Sequence, residues 1–392
     1  MTDDFYTPPT LQPSRLPGDV LRMRPAFVPQ LPGAGAAWQI LYVSTNSRGD
    51  LIPASGIVII PDTSNDTSLV SGPMLVYYPS FRGLGGPCAP SRSLVIGANP
   101  EHPDVAVLAA GLARGWVVAV PDGAGLGVTG VGPHTFLAAR AGGQIVLDMA
   151  RAAQYVPDLD TADPDTGIRD TPIPVVAWGY ADGGRAVAAA GELHARYAPE
   201  LDLRGLCAGA VVSDLAAIAP TVSTGAYAVL ALAAVIGLSR AYPDLRLEYV
   251  LNEQGQHLAA QAATLTAEHL MDWYREPLSH WCHRTDPWNE PRWRDVLGME
   301  TLAHARPTMP LHLYHGTRDE VVPVGAGRRT MIAYRQSGAQ VSWREYPTGH
   351  TGTAVDAITE SITHLDEDLS RPRPVHHDRD LPSPGSGRAA RA

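Results

Sequence analysis

The stretch "VVAWGYADGGRAVA", Val175 to Ala188, decides the fold. Its first four residues are all apolar, as in a strand buried on both faces. "GYADGG" then sets glycines two positions to either side of residue 181, and a run of small residues follows as a helix. Strand, sharp turn and helix make up a nucleophile elbow, G-x-S-x-G, in which a hydroxyl is lifted above a sheet. Gly179 and Gly183 supply the flanking glycines, which let the chain turn tightly and the helix pack against the strand. The central position holds Ala181, where the chemistry needs a hydroxyl.

Working outward, apolar runs of strand length recur on both sides. "WQILYVST" and "SGIVIIP" flank the turn "NSRGD" and predict an antiparallel hairpin. "PMLVYYP", "GWVVAVP", "IPVVAW", "LCAGAVV", "PLHLYH" and "QVSWREYP" follow, with "DVAVLAAGLARG", "LAARAGGQIVLDMARAAQY", "GRAVAAAGELHARYA" and "RRTMIAYRQSG" as helical segments between most of them. The alternation predicts an α/β fold, a mostly parallel central sheet with helices on both faces and an antiparallel edge. From 213 to 306 the rhythm breaks. No strand is legible there, four of the eight tryptophans (Trp273, Trp281, Trp288, Trp293) cluster there, and "AYAVLALAAVIGL" reads as a buried or lid helix. The expectation is a core of residues 1–212 and 307–369, a helical cap over 213–306 and a disordered polar tail over 370–392.

Composition narrows the function. A chain of 392 residues, 45% hydrophobic, can bury a large core. Its formal charge of −10 and the lack of a basic run argue against a nucleic-acid partner. The longest apolar stretch is too short for stable membrane insertion. "MTDDFYTPPT" has neither the basic start nor the apolar centre of a signal peptide, so the chain reads as cytoplasmic, or as a secreted protein in its mature form. Cys88, Cys207 and Cys282 show no metal spacing; one disulfide with a buried thiol and three reduced thiols fit equally.

The chemistry comes from order along the chain. With a nucleophile position at 181, an acid and then a histidine should follow, each just past the end of a later strand. Asp319 follows "PLHLYH" in "HGTRDEVVP", with Glu320 as the fallback, and His350 follows "QVSWREYP" in "TGHTG". A carboxylate on one imidazole nitrogen fixes the tautomer and leaves the other free to take a proton. An oxyanion site needs two backbone N–H donors: one from Asp182, the other near Ser80 or Phe81 in "SFRGLGG". "GLGVTG", Gly125 to Gly130, matches the dinucleotide pattern G-x-G-x-x-G, but "VGPHT" separates it from any helix, so a substrate-side loop is the better reading.

Together these residues resemble the secretory lipase family of α/β-hydrolases, known from fungi and actinobacteria. The resemblance runs from about Asp4 to Leu369. "DFYTPP" is similar to its mature start, "CAPSR" (Cys88 to Arg92) to the motif after its oxyanion loop, "PDGAGLG" to its proline–aspartate–glycine loop and "HGTRDEVVP" to its acid motif. It implies an α/β-hydrolase fold, hydrolysis of esters or triacylglycerols, a helical cap, no cofactor or metal, a secreted habit and a pairing of Cys88 with Cys282. Two departures stand out. Ala181 replaces the elbow serine, and Pro79 and Ser80 stand where the family usually carries His-Gly.

Three expectations follow. The first is an ester or acyl hydrolase, or an acyltransferase, acting on a small molecule with an apolar part, whose serine has been replaced by Ala181 so that no acyl-enzyme can form. The second is a natural non-hydrolytic enzyme (lyase, isomerase or cyclase) in which His350, oriented by Asp319, is a general base. The third is a pseudoenzyme that binds a ligand without turnover.

Overall fold

The computed structural model describes residues 3–62, 72–97, 102–157, 159 and 172–372. Most of the tail expected to be disordered, residues 373–392, lies outside the described residues. Nine strands form one sheet: β1 (Val20–Ala26), β2 (Ala34–Thr45), β3 (Leu51–Pro61), β4 (Met74–Tyr78), β5 (Val117–Pro121), β6 (Pro174–Tyr180), β7 (Asp202–Gly209), β8 (Leu311–Gly316) and β9 (Val341–Tyr346). Their spatial order is β1-β2-β3-β5-β4-β6-β7-β8-β9. The pairs from β5 to β9 are parallel; β1, β2 and β3 run antiparallel and join β5 antiparallel. The predicted hairpin is therefore present, and β1 extends it by a strand. β1 was missed because its "VLRMRPA" mixes charge with apolar residues and is nowhere fully buried. β4 and β5 are buried throughout, as their uninterrupted apolar sequences require.

The helices of the core are α1 (Pro90–Gly97), α2 (Pro103–Leu112), α3 (Ala139–Ala153) and α4 (Asp182–Tyr197). Between β7 and β8 follow α5 (Leu215–Val222), α6 (Ala228–Ala241), α7 (Glu253–Gln261), α8 (Ala267–Trp273), α9 (Leu278–Trp281) and α10 (Pro291–Met299), and after β8 come α11 (Val324–Gln336), α12 (His350–Asp356) and α13 (Ile358–Ser370). α3 and α4 pack on each other through small residues. A Cβ on Gly143 would come within 2.8 Å of the Ala189 carbonyl carbon, and one on Gly142 within 2.8 Å of Ala186 Cβ. Glycine here is a condition of the close helix approach.

Between 213 and 306 every regular element among the described residues is helical. Four of these helices start on a side-chain cap: Asp214 accepts from Ala217 N, Asn252 from Gly255 N, Thr266 from His269 N and Glu290 from Trp293 N. Each such cap contributes about 1 kcal/mol. α6 is the apolar stretch expected to be buried; Gly237 brings it against the backbone of Phe136. No helix of the described residues is long and apolar enough to cross a membrane.

One expectation fails. Cys88, Cys207 and Cys282 are all free and buried. Cys88 sits with Ala89 and Leu126 under the loop after β4, where its thiol faces the Leu265 carbonyl, whereas Cys282 belongs to the large core cluster and pairs its backbone with Leu251. The two thiols are packed into separate clusters, so the implied Cys88–Cys282 bridge is absent.

Candidate active site

Strand order reverses around β4, with β5 on one side and β6 on the other. Open α/β sheets place their clefts at such a point, outside the carboxyl ends of the strands. The loop after β4 carries Ser80 and Phe81, and β6 runs into Ala181. Ala181 has φ +52° and ψ −111°, a conformation that L-residues rarely adopt and that costs of order 1–3 kcal/mol. The flanking glycines are required sterically. A Cβ on Gly179 would run into the carbonyl of Gly183, and a Cβ on Gly183 into that of Tyr78. Ala181 N donates to Gly209 O at 2.9 Å and Ala181 O accepts from Arg185 N at 3.0 Å, which locks the turn to β7 and to the start of α4.

His350 opens α12 after β9, and Asp319 lies in the turn after β8. Their side chains meet, with His350 Nδ1 2.8 Å from Asp319 Oδ2. Asp319 Oδ1 accepts from Val321 N and Val322 N at 2.9 and 2.7 Å. Burial alone would raise the Asp319 carboxyl, but the hydrogen bond from His350, its charge and the Val322 N–H outweigh it and hold the group below its ordinary value. Glu320 is not the partner of the ring; its Oε2 accepts from His350 N at 3.1 Å. Tyr180 donates to His350 O at 2.7 Å and its ring packs beside the imidazole, 4.9 Å between centroids.

Ala181, Asp182, Ser80, Phe81 and His350 line one cavity of about 270 Å³. Its remaining wall comes largely from α5, α6 and α10 and is apolar, including Ile218, Leu230, Val235, Trp288 and Leu297. The structure thus brings together all six sequence-predicted positions: Ala181, Asp319 and His350 directly or through the dyad, and Ser80, Phe81 and Asp182 at the cavity wall. Phe81 packs against Phe136 with the rings tilted by 36° and their centroids 4.1 Å apart.

Sequence reading missed several supporting residues. Arg185, fully buried, donates to the carbonyls of Val212, Leu137 and Glu300, tying α4 to both ends of the inserted segment. His315, 3.5 Å from Asp319 Oδ2, donates to Val322 O and is kept below its ordinary value by burial. His134 lies in the "VGPHT" segment that sequence reading used only to reject a nucleotide site. Gly127 of that rejected pattern has a structural task. Gly127 has φ +73°, and a Cβ on it would strike Ser55 Oγ and Asp122, a buried carboxylate that also accepts from Ser91.

Known proteins resemble this chain in sequence and fold. The family model described as "Secretory lipase" matches residues 100–376. Lipase A of Arthroderma benhamiae is 26% identical over 94% of this chain and 79% of its own length. A protein of Mycobacterium tuberculosis named "Probable inactive lipase" is 29% identical over 87% of this chain and 76% of its own. A secreted triacylglycerol lipase of Malassezia furfur is 25% identical over 94% and 75%. The solved structure of Candida antarctica lipase A in its closed state superposes with a TM-score of 0.81 at 24% identity, covering 95% of this chain and 87% of that one. The elbow, the later acid and histidine and these matches lead to one assignment: the chain is an α/β-hydrolase-fold member of the secretory lipase family.

Proposed function

We propose that the cavity takes a small acyl ester with an apolar part, and that the chain is a lipase- or esterase-type site rendered inert as a covalent hydrolase by Ala181. The conformation of Ala181 carries this reading. A methyl group gains nothing from φ +52°, whereas a hydroxyl at that Cβ would stand above the sheet at the wall that His350 shares. In the roles the residues suggest, Asp319 keeps the proton of His350 on Nδ1, Nε2 is the base, and Asp182 N–H with the Ser80–Phe81 backbone receives the oxyanion. Ala181→Ser supplies the one missing atom. The expected outcome is hydrolysis of p-nitrophenyl octanoate where the parent shows none, abolished again by adding His350→Ala. No gain for acetate, octanoate or palmitate esters would overturn the reading.

A second reading keeps the alanine and uses His350 as a general base on a bound substrate. It is favoured by the dyad, which is intact at 2.8 Å although no hydroxyl is present for it to activate. Its test is His350→Ala in the parent, with turnover of the native substrate expected to fall. Binding without turnover, the third reading, is supported by the relative named as an inactive lipase. The relatives whose names call them secreted favour export over a cytoplasmic site; recovery of the native protein only from cell lysate, not from the medium, would count against that.

A further inference from the structure

At the amino ends of β8 and β9 stands a Ser–His–Asp arrangement separate from the cavity. His312 is the second residue of β8 and Ser342 the second of β9, and the two are paired in register. Ser342 Oγ is 2.8 Å from His312 Nδ1. His312 Nε2 is 2.8 Å from Oδ2 of Asp368, near the end of α13. Asp319 and His350 follow the carboxyl ends of the same two strands, so the two constellations lie at opposite ends of the sheet.

Donors and acceptors fix the sense of the arrangement. A carboxylate can only accept, so the contact with Asp368 places the His312 proton on Nε2. The neutral ring then has its lone pair on Nδ1, and the Ser342 hydroxyl donates to it. A nucleophile, its base and a carboxylate that orients the base are linked in this way in a catalytic triad. The ring nitrogens are exchanged relative to His350, whose Nδ1 faces its carboxylate.

Burial is graded along the three groups. Asp368 is 1% exposed and His312 9%, whereas Ser342 is exposed. Room for the carboxylate is built into β7, where a Cβ on Gly205 would collide with Asp368 Oδ2. The other carboxylate oxygen, Oδ1, lies 3.2 Å from Arg371 Nη1. The His364 ring lies parallel to His312 within 3°, centroids 4.4 Å apart, and stands 3.7 Å from both Glu360 and Glu367. None of these groups takes the place of Ser342 on Nδ1.

We propose that Ser342 is an activated nucleophile and a site of acylation by small activated donors, thioesters or aryl esters, whatever the cavity binds. Ser342 Oγ forms a bond to the acyl carbon, and the bond from that carbon to the leaving thiolate or phenolate breaks. The hydroxyl proton passes to His312 Nδ1 and from there to the leaving group. Ser342 stands exposed on the edge strand of the sheet, so a donor reaches it from solvent and not through the capped cavity. The product is a Ser342 ester on the protein.

The test uses the chain with its alanine at 181, and p-nitrophenyl acetate at pH 7. The chain contains no lysine and its three thiols are buried, which removes the common competing acceptors. Release of p-nitrophenolate should accompany transfer of one acetyl group per chain, located at Ser342 by peptide mass spectrometry. Ser370 is the internal reference, because it is also exposed but its hydroxyl donates to Asp366 O at 2.9 Å. Ser342 should be acetylated roughly a hundredfold faster than Ser370, the usual return of a positioned base. Ser342→Ala should remove the label, and His312→Gln should slow Ser342 to the rate of Ser370. Asp368 is a positioning residue that acts through His312. Asp368→Asn should slow labelling roughly tenfold or more. Nitrogen NMR on histidine-labelled Asp368→Asn should show part of the His312 proton moved from Nε2 to Nδ1, a change that a merely structural role would not produce. Labelling of Ser342 no faster than of Ser370, a label placed elsewhere instead, or undiminished labelling in folded His312→Gln overturns the proposal. Thermal unfolding checks the fold of each variant; should His312→Gln not fold, the comparison of Ser342 with Ser370 and the Asp368→Asn spectrum still decide.

Discussion

At position 181 the side chain and the backbone disagree. The backbone is bent as for a nucleophile, and the side chain carries none. Gly209 O, Arg185 N and the two tight glycines hold the turn whatever the side chain is. The strain of a positive φ is therefore retained with no chemical return. Ala181→Gly should relieve it, since glycine adopts φ +52° without a Cβ clash, while the more flexible unfolded chain offsets part of the gain. The expected net effect is a stabilisation of about 1 kcal/mol, read by urea unfolding. A loss of stability would mean that the turn is not strained. The same residue shows how legible the site was. The pattern of glycines identified the turn, and strand order gave Asp319 and His350, because these depend on local spacing and on chain order. His134 and Arg185 were not legible, because their partners Asp182, Glu300 and Val212 are brought to them only by the folded chain.

Among the elements, the inserted helices and the loop after β4 share a backbone seam. Leu84 N donates to Leu265 O at 3.1 Å and Ala267 N to Arg82 O at 2.9 Å, with Gly83 bridged to Thr266. Gly83 has φ +130°, and a Cβ there would meet Leu265 O, Cys88 Sγ and the Thr266 backbone. Sequence reading separated 213–306 as a helical insertion from its lost strand rhythm, but a two-bond seam has no periodicity and left no trace. It fastens the loop bearing Ser80 and Phe81 to the start of α8. Gly83→Ala should open this seam. The expected result is faster amide exchange at Leu84 and Ala267, with a loss of roughly 2–4 kcal/mol from strain and two broken hydrogen bonds. Unchanged exchange at both amides would show that the seam does not hold the two parts together.

For the whole molecule, the parallel half of the sheet was legible because strands buried on both faces are written as uninterrupted apolar runs. The half-buried first strand and the polar ties between layers were not. One such tie is Asp148 on α3, fully buried, which accepts from Ser44 of β2 and Tyr197 of α4 and from Arg151, each at 2.7 Å. Burial pushes its carboxyl up to about 6, against the pull of these hydrogen bonds and of the Arg151 charge. In the unfolded chain it titrates near the usual aspartate value of about 3.9. Between these values the folded protein holds a proton that the unfolded chain has released. The stabilisation from this group is complete below about pH 4 and is lost as pH rises through about 6, by roughly 2–3 kcal/mol. Asp148→Asn has no proton to lose and keeps an acceptor for Ser44 and Tyr197. Unfolding in urea at intervals from pH 4.5 to 7.5 should therefore show the parent losing stability relative to the variant as pH rises, with the change centred below pH 6 and flat above about pH 7. Parallel curves for the two proteins would mean that Asp148 is ionised throughout, and that its hydrogen bonds outweigh its burial.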